Sequence, residues 1–169
     1  IDIVLHRMLS LASHQIEKEG MQVVADLPGE APLFGDPFEL QQVFLNLITN
    51  AARAMEKSTN GNKRVEIKSS AQNNTLCIQV ADAGPGVPVE LREKTFDPFF
   101  TTKPPGKGTG LGLSISYHIV KAHGGEIRID ESAMVVYGLS EKGEAKVPLR
   151  PSGKPEPYLR RVRELLSGH

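Results

Sequence analysis

The chain has 169 residues, enough for one domain with a substantial core. Twenty Lys and Arg balance twenty Asp and Glu, which excludes a broad basic face, so no nucleic-acid partner is expected. No apolar run reaches membrane-spanning length, no signal peptide opens the chain, and a single cysteine, Cys77, excludes an intrachain disulfide.

Ile1 to Glu19 places Val4, Leu5, Met8, Leu9, Ala12 and Ile16 at helical spacing, and Gly20 is a suitable stop. The chain opens at Ile1 inside this pattern, as expected of a segment of a longer, cytoplasmic protein. His6 and His14 read as ordinary helix residues, since neither has an acidic partner or metal-ligand spacing. Met21 to Leu27 reads as a strand and Pro28 to Leu33 as a loop. Asp36-Pro37-Phe38-Glu39 is a strong helix start, with Asp36 as cap, Pro37 in the first turn and Glu39 at the capping-box position.

Leu40, Val43, Phe44, Leu47, Ile48, Ala51 and Met55 then form one apolar stripe. Beside it lie Asn46 and Asn50, four apart and therefore on one face. Asparagine is a mediocre helix former. Two amide oxygens here suit either a hard cation such as magnesium or a merely solvated surface. Val65, Ile67 and Ser69 alternate, as do Leu76, Ile78 and Val80, with Asn73-Asn74 as a turn between them. This predicts a β-hairpin that delivers Asp82 to the end of its second strand. A buried structural thiol is expected at Cys77.

Val87 to Lys94 is expected to hold a short helix started by Pro88. Thr95 to Lys107 carries no periodicity. Thr109 to His123 reads as a broadly apolar helix, with Leu111, Ile115, Ile119 and Ala122 on one face and Leu113, Tyr117 and Val120 on another, ended by Gly124-Gly125. Glu126 to Asp130, Ala133 to Tyr137 and Glu144 to Leu149 read as strands. Pro151 to Pro157 is a linker, and Tyr158 to Leu166 a basic amphipathic helix expected to pack on the domain.

The chemistry gathers between Asp82 and Leu113. A strand-end aspartate can accept a hydrogen bond from an exocyclic amine such as that of adenine, and Gly84 and Gly86 let the backbone pass close to a flat ring. Gly106, Gly108, Gly110 and Gly112 precede a helix, where backbone N–H groups and the helix terminus attract phosphate. The run is neither a P-loop nor a Gly-x-Gly-x-x-Gly fingerprint. Thr101, Thr102 and Lys103 add hydroxyls and a charge.

Four ordered blocks carry a family resemblance. Gln41 to Ala51 resembles an N box, Asp82 to Val87 a first glycine box, Phe96 to Lys103 an F box, and Gly106 to Leu113 a second glycine box. The chain resembles the catalytic ATP-binding domain of bacterial sensor histidine kinases. These belong to the GHKL, or Bergerat-fold, superfamily with type II topoisomerases, heat-shock chaperones and mismatch-repair ATPases. The resemblance implies an α/β (α+β) two-layer sandwich, a mixed and largely antiparallel sheet with helices on one face, and an ATP lid between the F box and the second glycine box. It implies ATP and Mg2+ as cofactors. Asn50 would bind the magnesium that bridges the phosphates, with Asn46 beside it, and Arg53 would reach a phosphate. Asp82 would take the adenine amine, in a slot with Gly84, Gly86 and Val87. Phe99, Thr101, Thr102 and Lys103 would lie in the lid over ATP, and Gly108, Thr109, Gly110, Leu111 and Gly112 would contact the phosphates. Asn46, Asn50 and Lys103 are the implied catalytic residues.

The implied organisation is a helix over 1–20 leading from an upstream dimerisation and phosphoacceptor hairpin, a catalytic domain over 21–150, and a linker and helix over 151–169. The implied partners are that hairpin and the receiver domain of a response regulator. The fragment is expected to be monomeric and the full-length protein a homodimer, with membrane anchoring left open. The sequence departs from the family pattern in three places. Arg7 and Gln15 follow the two helical histidines where the family's phosphoacceptor has an acid. Gly143-Glu144-Ala145 stands where Gly-Thr is usual. Ser132 to Ser140 is longer and more apolar than a turn, and reads as an extra strand.

The primary expectation is a protein-histidine kinase domain that transfers the γ-phosphate to a histidine on the hairpin. One alternative is an ATP-hydrolysing clamp, but the water-activating glutamate of such proteins is replaced here by Asn46, which cannot act as a general base. The other is a non-catalytic nucleotide-sensing module, suggested by Ala145.

Overall fold

A computed structural model describes residues 10, 16, 20–27, 35–56, 63–72, 75–102, 108–130 and 133–139. Strand β1 (Gln22–Asp26) precedes helix α1 (Pro37–Ala54) and the hairpin β2 (Arg64–Gln72) and β3 (Thr75–Asp82). Two 3-10 turns follow, Val89–Leu91 and Lys94–Phe96. Helix α2 (Gly112–Ala122) then leads to β4 (Glu126–Ile129) and β5 (Ala133–Leu139). The sheet order is β1-β2-β3-β5-β4. Only the β1–β2 pair is parallel, joined by the α1 crossover; the other pairs are antiparallel. A mixed sheet is the expected outcome when one crossover helix interrupts a series of hairpins.

The strand period of two sorts the sheet into faces. Val65, Ile67 and Ser69 of β2 pair with Asp82, Val80 and Ile78 of β3 and face the helices. The apolar stripe of α1 closes over them, and Phe44, Leu47 and Met55 are fully buried. On the opposite face Glu66 is buried between two cations, with Arg64 Nη2 at 2.6 Å and Lys68 Nζ at 3.2 Å.

Within the apolar segment Ser132 to Ser140, the described residues Ala133–Leu139 are an integral strand. This strand, β5, lies inside the sheet between β3 and β4, which explains its apolar character. Cys77 is half-buried on β3 rather than sealed in the core. The short helix expected after Pro88 is the 3-10 turn Val89–Leu91, with Pro88 at its N-cap, and a second turn, Lys94–Phe96, follows it.

Helix α2 begins at Gly112, three residues later than its sequence pattern predicts. Gly110 stands at φ +65°, a left-handed conformation that a right-handed helix cannot include. The face that packs inward also differs from expectation. Ser114, Ser116 and Val120 are buried, while Ile115 and Ala122 are exposed. Both serine hydroxyls are satisfied within the helix, Ser114 donating to Leu111 O and Ser116 to Gly112 O, each at 2.9 Å. Their small, internally paired side chains permit close approach to α1 where a long apolar residue would hold the helices apart. The helix ends as expected: Gly125 N–H donates to Val120 O and Gly124 N–H to Lys121 O, with Gly124 at φ +72°.

The start of α1 is built by two elements. Asp36 Oδ1 accepts from Phe38 N–H (2.7 Å) and Glu39 N–H (3.2 Å). The reciprocal half of the expected capping box is not made by Glu39. Asp36 N–H donates instead to His123 Nε2 (3.0 Å), at the far end of α2, while His123 Nδ1 bonds Ile119 O (2.8 Å). Nε2 therefore accepts and Nδ1 carries the hydrogen. Loss of this exposed bond by His123→Ala is expected to cost about 0.5–1.5 kcal/mol. His123→Gln, which keeps an uncharged acceptor near Nε2, is expected to recover most of that. Urea denaturation of the two variants checks it, and equal losses would show that packing rather than the bond matters.

The expected helices over Ile1 to Glu19 and Tyr158 to Leu166, the loop Pro28 to Leu33, the turn Asn73-Asn74, the strand Glu144 to Leu149, the linker Pro151 to Pro157 and the lid segment 103–107 lie outside the described residues, apart from Ser10 and Ile16, which are helical.

Candidate functional site

A cavity of about 510 Å³ opens between the exposed end of β3, the second half of α1 and the start of α2. Asp82 lies at its edge for a simple reason of register. Leu76, Ile78, Val80 and Asp82 are successive inward positions of β3, so a carboxylate stands where a fourth apolar residue would complete the stripe. Burial pushes the Asp82 carboxyl above its ordinary value of 3.8, partly offset by a hydrogen bond that Gly84 N–H donates to Oδ1 at 2.8 Å.

Gly84 does not line the cavity but supports Asp82 from behind. A Cβ there would meet Asp82 Oδ1 at 2.6 Å and Ala54 Cβ at 3.0 Å. Gly86 lines the cavity, with φ +73°, and Val87 continues the wall. Arg92 Nε donates to Val87 O (3.2 Å) and Thr95 Oγ1 to Arg92 O (2.6 Å), which ties this wall to the 3-10 turns.

Asn46, Asn50 and Arg53 reach the cavity from successive turns of α1. Asn46 Nδ2 donates to Gly112 O (3.0 Å) and Ser116 Oγ (3.2 Å). The Asn50 side chain has no hydrogen-bond partner among the described residues, and the residue is half-buried. Thr101, Thr102, Gly108, Thr109, Gly110 and Gly112 complete the opposite side. Gly110 O accepts from Phe99 N–H (3.0 Å), and Phe99 itself has φ +66°. This bond draws residues 99 and 110 together at the base of the loop between them.

Of the residues singled out from the sequence, twelve line one cavity although they are spread from Asn46 to Gly112. Phe99 and Leu111 do not; Phe99 is 73% exposed and Phe100 lines the wall in its place. Lys103 lies outside the described residues. Sequence reading missed the apolar contributors, among them Leu91, Leu113 and Ile129. Ordinary hydrophobic residues carry no local signal of this kind; only the stacking of β4 and the 3-10 turns around the cavity brings them in.

Asp82 is the only carboxylate and Arg53 the only cation on the lining formed by described residues. The described residues hold no group of three or more His, Cys, Asp or Glu side chains that could hold a metal ion. Asn50 offers one uncommitted hard oxygen, the donor type that suits a magnesium ion carrying most of its ligands as water and phosphate.

A family profile described as histidine kinase-, DNA gyrase B-, and HSP90-like ATPase matches residues 35–151. The chain belongs to this family. It is 37% identical over 119 residues to the signal transduction histidine-protein kinase AtoS of Escherichia coli K12, covering 68% of this chain and 19% of AtoS. The fold matches the catalytic domain of histidine kinase ThkA with TM-score 0.72 and 29% identity, covering 86% of this chain and 95% of that domain. ThkA in complex with the response regulator protein TrrA matches at TM-score 0.69 and 28% identity, over 86% of this chain and 42% of the ThkA chain. Full-length ShkA in complex with AMPPNP matches at TM-score 0.67 and 26% identity, over 81% of this chain and 29% of ShkA. The chain thus spans about a fifth of AtoS and nearly all of the isolated ThkA domain. It is an ATP-binding catalytic domain of the sensor histidine kinase type, and its mixed sheet with helices on one face is that of histidine kinase catalytic domains. No helix among the described residues is long and apolar enough to cross a membrane.

Proposed function

We propose that this domain binds ATP with Mg2+ and presents the γ-phosphate to a histidine on another domain of the same protein, from which a response regulator is then phosphorylated. The observation that carries the reading is the convergence on one cavity of Asn50, Asp82, Gly86 and the glycine-rich run Gly108, Thr109, Gly110 and Gly112. Asp82 accepts from the adenine amine, a match that guanine cannot make because it presents a carbonyl oxygen at that position. Gly86 and Val87 form the slot for the ring. Gly108, Gly110 and the first residues of α2 present backbone N–H groups and the positive end of the helix to the phosphates. Arg53 adds a full positive charge. Asn50 would hold magnesium, whose charge would offset that of the phosphates. The chemistry left to the protein is positioning and charge neutralisation. The imidazole nitrogen of the acceptor attacks the γ-phosphorus as the bond to the β–γ bridging oxygen breaks, leaving ADP and a phosphohistidine.

Transfer is favoured over hydrolysis by the lining. Among the described residues no carboxylate other than Asp82 faces the cavity to activate water, and the amide at Asn46 is tied to α2. The domain acts in the cytoplasm, and the whole protein is a homodimer joined through its histidine-bearing domain; the similarity to ThkA, seen with a response regulator, supports this partner class.

The test is calorimetric titration of the chain with AMPPNP, with and without magnesium. Wild type is expected to bind, and magnesium to tighten binding. Asn50→Ala is expected to erase most of that magnesium increment, about tenfold or more, while sparing metal-free binding. Phosphotransfer to a supplied histidine domain then separates a kinase from a nucleotide sensor. A wild-type chain that binds no adenine nucleotide overturns the proposal.

A further inference from the structure

The two cavity-facing asparagines are differently employed. Both hydrogens of Asn46 Nδ2 are committed, one to Gly112 O at 3.0 Å and one to Ser116 Oγ at 3.2 Å. Gly112 O can only accept, so the nitrogen and not the oxygen of the amide faces it. Ser116 Oγ donates to the same carbonyl at 2.9 Å, which leaves its lone pairs for Asn46. The three groups therefore form a closed knot in which every donor has an acceptor. Ser116 is fully buried and does not line the cavity. Asn50, one turn further along α1, has no such partner among the described residues.

The knot has a specific location. It joins the face of α1 that carries Asn50 to Gly112, the residue at which α2 begins and at which the phosphate-facing backbone ends. At Gly112 itself no side chain packs across the junction, and a Cβ there would stand at ordinary contact distance, 3.7 Å, from Asn46 Cγ. We infer that Asn46 is a positioning residue rather than a metal ligand: it sets the first turn of α2 against α1, so that the 108–112 backbone and Asn50 meet the same triphosphate. This rests on the nucleotide-binding reading above.

Asn46→Ala separates the two roles. The variant loses both donors and the amide oxygen without adding a charge to the cavity. A positioning role predicts that AMPPNP affinity falls about tenfold, equally with and without magnesium. Ser116→Ala, which touches no ligand, is expected to lower affinity about threefold with the same indifference to magnesium. Asn46→Ala with Ser116→Ala is expected to be little worse than Asn46→Ala alone. Asn46→Ala keeping its metal-free AMPPNP affinity while losing the magnesium increment makes Asn46 a metal ligand and overturns the inference. So do additive effects of the two alanine substitutions. Failure of the wild-type chain to bind nucleotide would count against the function and not the knot. The knot is then judged by the coupling of the same pair in urea denaturation, where independence of the two sites overturns it.

Discussion

Asp82→Asn is expected to weaken adenine-nucleotide binding by about a hundredfold or more and, in the same protein, to raise the melting temperature of the nucleotide-free domain. The first effect follows from donor chemistry. The carboxylate offers only acceptors to an exocyclic amine, whereas one orientation of the asparagine amide sets donor against donor, and the other is a neutral and weaker partner. Sites built around one such hydrogen bond lose far more than the bond's net value when it is mismatched. The second effect follows from burial. The Asp82 carboxyl is held above its ordinary 3.8, chiefly by desolvation, so the folded state holds its proton more tightly than the unfolded chain. The sign is then fixed. The group costs nothing below the unfolded value of 3.8, and stability is lost as pH rises from there through the raised folded value. Asparagine never ionises, and its Oδ1 can still accept from Gly84 N–H. The stabilising difference between variant and wild type is therefore expected to be small at about pH 3.5 and full at neutral pH. Thermal melts of both proteins across that window, paired with AMPPNP titration at neutral pH, read out both halves. A variant that loses binding without gaining stability would mean that Asp82 is better solvated than its place in the inward stripe implies.

Gly110→Ala is expected to be the most damaging single-methyl change at the site. Gly110 stands at φ +65°, where alanine is strained by roughly 1 kcal/mol. The added Cβ would also lie 2.7 Å from Phe100 O and collide with the Phe99 backbone, and neither neighbour can rotate away. Relief requires the Phe99 N–H to Gly110 O bond to open, which releases the 99–102 segment from the 108–112 segment. AMPPNP affinity is expected to fall about a hundredfold, while global stability falls by only about 1–3 kcal/mol, because the core of α1 and the sheet does not depend on this junction. Amide exchange should show the damage confined near residues 97–102 and 108–112. Near-normal affinity would show that the junction is free to rearrange around a bound nucleotide.

Asp36 and Pro37 announced the start of α1, its apolar stripe gave the buried face, and alternation around residues 73 and 74 gave the hairpin and the strand-end position of Asp82. These features are local: each depends on residues within one or two turns, or one strand pair, of each other. The spacing of the glycines before α2 was legible for the same reason, since it lies within one short run of the chain.

What the sequence could not disclose depends on partners far along the chain. The capping residue for Asp36 N–H is His123, 87 positions away, because antiparallel packing of α2 on α1 brings the end of one helix to the start of the other. The inward face of α2 runs through Ser114 and Ser116, since their hydroxyls are satisfied within the helix and their bulk suits the gap, a balance that hydrophobicity alone ranks wrongly. Asn46 and Asn50 are indistinguishable by spacing, and only the approach of Gly112 gives one of them a partner. The apolar stretch at 133–139 is explained by its place between two other strands. Short-range periodicity and turn chemistry thus determined the elements, and resemblance of four ordered motifs singled out the candidate site residues; the division of labour among those residues was decided by which backbone carbonyls and amides tertiary packing carried within hydrogen-bonding distance.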